Sequence, residues 1–196
     1  MRIKKESYLP GFNFKADSIA HGGDLRRGKR KIIRPIDPKQ AIHVVMRSSR
    51  ACGRYSLLHP KHCNRIHAFT EKIALRWGVR VYRFANVGNH IHLLVKVQNR
   101  GAWKRFIREL AGGIPQIVTG ATKGRGLGRR EDMDIAESAK RGFWDGLVFT
   151  RIVHFGRDFE KVARYLIKNL FGAAGVPVKK LFALGYSIMS LGVEPT

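Results

Sequence analysis

Over Ala41 to Arg50, Ile42, Val44 and Met46 alternate with His43, Val45 and Arg47. A two-residue period of this kind predicts a half-buried strand. The loop "ACGRYSLLHPKHCN" follows, and then Ile66, Phe69, Ile73 and Trp77 recur at helical spacing. They predict a helix from His62 to Trp77, stopped by Gly78. "VRVYRFANV" and "NHIHLLVKVQ" predict a second and a third strand, with Gly88 and Asn89 forming the hairpin turn. A second helix is predicted from Ala102 to Leu110, and Gly112, Gly113 and Pro115 leave its continuation towards Val118 open. "DGLVFTRIVHF", Asp145 to Phe155, predicts a fourth strand, and a last helix runs from an N-cap at Asp158 to Phe171 or Gly172.

The order strand, helix, strand, strand, helix, strand is the split βαβ pattern of a ferredoxin-like fold. The predicted class is α+β: a four-stranded antiparallel sheet, two helices on one face, and an extra C-terminal helix carrying a tyrosine. Residues 1–38 are read as a basic appendage, 39–175 as the working domain and 176–196 as a tail.

Faces follow from the same periods. Side chains alternate across a strand, so Ile91, Leu93, Val95 and Val97 share the core face and His90 and His92 share the other. Two imidazoles at i and i+2 can converge on a divalent cation; the bare pair also suits a polar outer face. On the last helix, Phe159, Val162, Ala163, Leu166 and Leu170 form an apolar stripe, and Lys161, Arg164 and Lys168 a basic one. Tyr165 and Asn169, four apart, sit on the border between them, on the side of Asp158.

Charge narrows the partners. Lys and Arg number 38 against 14 acidic residues, a net charge of +24. Such an excess repels itself unless an anion shares the load, and nucleic acid is the default anion for a basic chain. The sequence has no run long and apolar enough to span a bilayer, no apolar core of a signal peptide near its start, and only two cysteines, Cys52 and Cys63. A reducing cytoplasm is expected.

"GNHIHLLV" followed by "FEKVARYLIKNLFGAAG" resembles the HUH single-strand transposases with one catalytic tyrosine, above all the REP-associated tyrosine transposases of bacteria. The resemblance runs over roughly residues 40–175 and takes in "HVVMRSSR" and "RGFWDGLVFTRIV". It implies that His90, His92 and Asn169 hold Mg²⁺ or Mn²⁺ and that Tyr165 attacks DNA. The implied activity is that of a metal-dependent single-stranded DNA endonuclease and strand transferase, forming a 5′-phosphotyrosine at hairpin DNA. A nucleoid-associated monomer or homodimer is expected. The chain departs from the usual pattern in having Gly88 where proline is common, and Leu170 after Asn169.

Arg47, Arg50, Lys161, Arg164, Lys168 and the N-terminal cluster Arg26, Arg27, Lys29 and Arg30 are the expected phosphate contacts. Trp103, Trp144 and Tyr55 are candidates for stacking on bases, Trp144 also for the core. His43 and His154, on neighbouring strands, could assist proton transfer, and a structural role is the favoured reading for each. "GATKGRGLGRR" lacks the order of a phosphate-binding loop, and Cys52, His59, His62, Cys63 and His67 fit no standard zinc spacing. The competing function is a basic ferredoxin-like module that grips nucleic acid without cutting it.

Overall fold

The computed structural model describes residues 19–26, 28–30, 32–121 and 142–173. Strands β1 (Ala20–His21), β2 (Ala41–Arg47), β3 (Arg80–Asn86), β4 (His90–Lys96) and β5 (Phe149–Val153) form one antiparallel sheet in the order β1-β5-β2-β4-β3. Helices α1 (Cys63–Arg76) and α2 (Arg100–Thr119) cover one face, and α3 (Arg157–Ala173) covers the other.

The two faces are built from the alternation seen in the sequence. Ile42, Val44 and Met46 of β2 and Ile91, Leu93 and Val95 of β4 meet Ile66 and Ile73 of α1 and Phe106, Leu110 and Ile114 of α2. Each such buried side chain contributes roughly 1.5–3 kcal/mol. On the reverse face a smaller cluster, Ala41, Ala85, Leu94 and Val153, receives Phe159, Val162, Ala163 and Leu166 of α3. The polar residues of that reverse face therefore lie beneath or beside α3.

The sheet has five strands rather than the expected four. The addition is β1, which pairs with β5 through Ala20 opposite Arg151 and His21 opposite Thr150. Two residues are too few to show a period, so no pattern announces them. Gly22 makes the pairing possible: its φ is +89°, and a Cβ there would lie 2.0 Å from the Val148 carbonyl oxygen. Gly22→Ala is expected to destabilise the fold by roughly 1–3 kcal/mol and to release the N-terminal segment to limited proteolysis. An unchanged melting temperature and cleavage pattern would contradict this account.

One open point closes and one expectation changes. The second helix continues unbroken through Pro115 to Thr119. Proline leaves the carbonyl four residues earlier without its helical donor. Here Trp144 Nε1–H donates to the Ala111 carbonyl at 2.8 Å and replaces it. The last strand is shorter than Asp145 to Phe155 because Asp145 is committed elsewhere. Its carboxylate accepts from Ser49 N–H at 2.7 Å and from Ser49 Oγ at 2.8 Å, and its N–H donates to the Arg47 carbonyl at 2.9 Å.

Candidate active site

β2 lies between β4 and β5, with His43 opposite Leu94 and Arg151, Val45 opposite His92 and Arg47 opposite His90. In antiparallel pairs, opposed residues share a face. His43, Arg47, His90, His92 and Arg151 consequently all lie on the α3 side of the sheet. α3 brings Tyr165 and Asn169 to the same place. The Tyr165 ring is 5.6 Å from that of His92, edge-on at 87°, and 6.3 Å from that of His43. Asn169 Nδ2 lies 3.5 Å from His92 Nε2. The His90 and His92 rings are 4.7 Å apart at 78°. Residues separated by more than 70 positions are thus assembled within one chain.

Each group has a local reason for its position. His90 is half-buried and its Nδ1 is 2.6 Å from Asn89 Oδ1. The amide oxygen accepts that N–H and leaves His90 Nε2 with its lone pair. The turn before it requires Gly88: its φ of +91° is closed to proline, whose ring fixes φ near −65°. The same turn is locked by Leu57 N–H donating to the Gly88 carbonyl at 2.7 Å and Gly88 N–H donating to Asn86 Oδ1 at 3.1 Å. The departure at Gly88 is therefore a requirement of this hairpin's geometry.

Tyr165 is 36% exposed, so its ring packs while part of it faces solvent. Phe159, Val162, Ala163 and Leu166 seat the helix, as the stripe predicted, and Leu170 is exposed instead. Asp158 lies inside the first turn of α3 rather than at its N-cap. It accepts both guanidinium N–H groups of the buried Arg151 at 2.9 Å and a His154 N–H at 3.3 Å. This pair ties the start of α3 to β5.

Burial sets the protonation of the histidines. It lowers His92 to a pKa of about 3, aided by the neighbouring His90. Burial likewise puts His43 well below the usual imidazole range, with His92 and Arg151 adding to the effect. His90 is lowered by burial and then by Arg47. All three are neutral near pH 7, with a lone pair on one nitrogen each. An imidazole that charges only when unfolded stabilises the fold fully above pH 6.5, and this is lost as pH falls towards the folded value. At pH 5 the loss is roughly 2 kcal/mol for His92, and His43 adds a loss in the same direction. Urea unfolding at pH 7.5 and 5.0 measures it, and equal stabilities would show that these rings are not buried as described.

The other candidates separate clearly. Arg47 is exposed beside His90, and Lys161, Arg164 and Lys168 are exposed on α3, with Arg164 3.7 Å from Glu160. Arg50 is half-buried in the turn after β2; Lys29 and Arg30 are exposed. Arg27, the Arg26 side chain, the greater part of "GATKGRGLGRR" and the tail from residue 176 lie outside the described residues. Trp103 cannot serve as a stacking platform: it is 3% exposed, packed in the main core with Arg34 over its ring. Tyr55 and Trp144 pack against that core, and His154 is exposed. Sequence reading missed the Arg151–Asp158 pair and gave His43 no link to His92. Parity along β2 carries that link, since His43 faces away from Ile42 and Val44.

Among the described residues, no three His, Cys, Asp or Glu side chains converge on a metal position, and no helix is long and apolar enough to cross a membrane. A cation would instead take two imidazole nitrogens and the Asn169 amide oxygen, leaving further positions for water and phosphate. This donor set fits Mn²⁺, and Mg²⁺ less well, because imidazole is softer than an all-oxygen shell.

A family model described as IS200-like transposases matches residues 38–119, from just before β2 to the end of α2. A crystal structure of a candidate transposase from Deinococcus radiodurans R1 aligns with 72% of this chain and 98% of its own, at 14% identity and a TM-score of 0.37. No curated protein matches the chain. The family match bears out the resemblance to transposases at the level of the IS200-like family and does not reach the REP-associated branch.

Proposed function

We propose that this protein is a transposase of the REP-associated kind: a metal-dependent endonuclease and strand transferase that cuts single-stranded DNA at hairpins through Tyr165. The observation that carries this reading is the packing of Tyr165 and Asn169 against His92, within one chain. The IS200-like match over the strands that bear the histidines supports it.

His90, His92 and Asn169 would hold Mg²⁺ or Mn²⁺, which would supply charge withdrawal at the scissile phosphate and favour in-line attack there. Tyr165 supplies the nucleophile from a helix whose apolar stripe and Arg151–Asp158 pair fix its approach. A new bond forms between the Tyr165 oxygen and phosphorus, and the bond from phosphorus to the 3′ oxygen breaks. The phenol loses one proton and the departing 3′ oxygen gains one, giving a 5′-phosphotyrosine and a free 3′-OH. A second 3′-OH reverses the exchange and joins strands, so no nucleotide cofactor is consumed. Arg47, Arg50, Lys161, Arg164, Lys168, Lys29 and Arg30 would line the phosphate track. Affinity should therefore fall steeply with salt. Since α3 docks on its own sheet, a monomer holds a complete site, and a homodimer is not required.

The test is incubation with labelled single-stranded hairpin DNA and Mn²⁺, followed by denaturing electrophoresis. A covalent adduct that chelator prevents supports the enzyme. One observation favours a second reading, a non-catalytic nucleic-acid-binding module: the family match ends at residue 119, before Tyr165. Tight binding with no adduct, across several hairpins and both metals, would select that module.

A further inference from the structure

We propose that His43 is a positioning residue for His92: it accepts a hydrogen bond from His92 Nδ1–H and so keeps the lone pair of His92 Nε2 turned towards Tyr165 and Asn169. The metal-binding consequence rests on the reading above; the hydrogen bond itself does not.

His43 Nε2 and His92 Nδ1 are 3.2 Å apart. Their planes differ by 15° and the ring centroids are 5.4 Å apart, so the rings lie nearly parallel and meet nitrogen to nitrogen. His43 is 2% exposed, the edges of Phe149 and Tyr165 approach its ring, and it stands opposite Leu94 and Arg151 in the sheet. An apolar residue would fill this place without stripping water from two nitrogens. The other nitrogen, Nδ1, is buried and has no hydrogen-bond partner among the described residues. For packing alone His43 is a poor choice. Its Nε2 is the nitrogen that meets a polar partner, and that partner is His92.

The direction of that bond follows from the far side of the ring. Asn169 Nδ2 approaches His92 Nε2 at 3.5 Å, which suits an Nε2 that accepts. A neutral imidazole has one N–H, so the proton then sits on His92 Nδ1 and points at His43. A cation on Nε2 requires the same tautomer. Outer-shell acceptors of this kind fix the ring and raise the basicity of the liganding nitrogen. Here the acceptor is a second histidine rather than the more usual carboxylate or carbonyl.

The test combines histidine ¹⁵N NMR of the metal-free protein at pH 7.5, Mn²⁺ titration and thermal melting, for the wild type and two variants. The wild type should carry His92 as the Nδ1–H tautomer. His43→Met, which offers no acceptor, should shift His92 towards Nε2–H and weaken Mn²⁺ binding by about 10–100-fold, without lowering the melting temperature. His43→Gln, whose amide oxygen can accept, should retain the tautomer and most of the affinity. If the methionine variant fails to fold, His43→Asn, with its acceptor one methylene short, takes its place. A wild-type Nε2–H tautomer, or a His92 tautomer indifferent to residue 43, would overturn the proposal. So would a pure loss of stability in His43→Met with unchanged Mn²⁺ affinity. If the wild type binds no Mn²⁺, the metal reading falls, and the tautomer comparison alone decides the role of His43.

Discussion

Tyr165→Phe should abolish covalent attachment to hairpin DNA while leaving DNA affinity within a few-fold of wild type. The ring is held by edge contacts with His92 and His43, which phenylalanine keeps. Only the oxygen that would bond to phosphorus is lost. Removing a nucleophile outright costs roughly 10³-fold or more in rate, so no adduct should be visible on a denaturing gel. Fluorescence anisotropy with the same hairpin measures affinity. The proposed phosphate contacts are Arg47 and the exposed cations of α3, which the variant does not touch. An adduct of normal yield would place the nucleophile elsewhere. Equal loss of binding and cleavage would make Tyr165 a docking residue instead.

Much of this site was legible because two periods run through the chain. The alternation in "HIHLLVKV" assigned Ile91, Leu93 and Val95 to the core and the two histidines to the opposite face, and the register with β2 agrees. The helical stripe of Phe159, Val162, Ala163 and Leu166 placed Tyr165 and Asn169 at its margin, where α3 presents them to His92. The ferredoxin-like order supplied the rest, since it sets the first strand beside the third.

What stayed hidden depends on tertiary partners or on very short segments. Nothing local reveals that the Trp144 indole replaces the donor missing at Pro115, so a continuous α2 could not be read from propensity. β1 is two residues long and held by one glycine conformation. Trp103 looks like an available aromatic until α2 is seen to turn it into the core. His43 is the instructive case. Its parity was visible, and strand order places it beside His92, yet a lone histidine in an apolar strand reads as structural until the ring-to-ring distance is known.

His90→Ala and His92→Ala should separate the chemistry of the pair from its packing. Both remove an imidazole nitrogen from the proposed cation site. The charge stabilisation lost with the cation is several kcal/mol, and each 1.36 kcal/mol is tenfold in rate. Cleavage should fall by roughly 10³-fold in either variant. Stability should differ. His90 is half-buried and bonded to the exposed Asn89, so its truncation leaves the melting temperature nearly unchanged. His92 is 3% exposed and central to the rings of His43, His90 and Tyr165. Its truncation opens a cavity, leaves His43 Nε2 without its partner, and should cost roughly 2–4 kcal/mol in urea unfolding. DNA affinity is the deciding control, and His90→Ala should preserve it. Should His90→Ala weaken binding and cleavage in equal measure, the imidazole would be gripping the strand itself. Adduct formation would then be indifferent to Mn²⁺, and the case for a cation between the histidines and Asn169 would be lost.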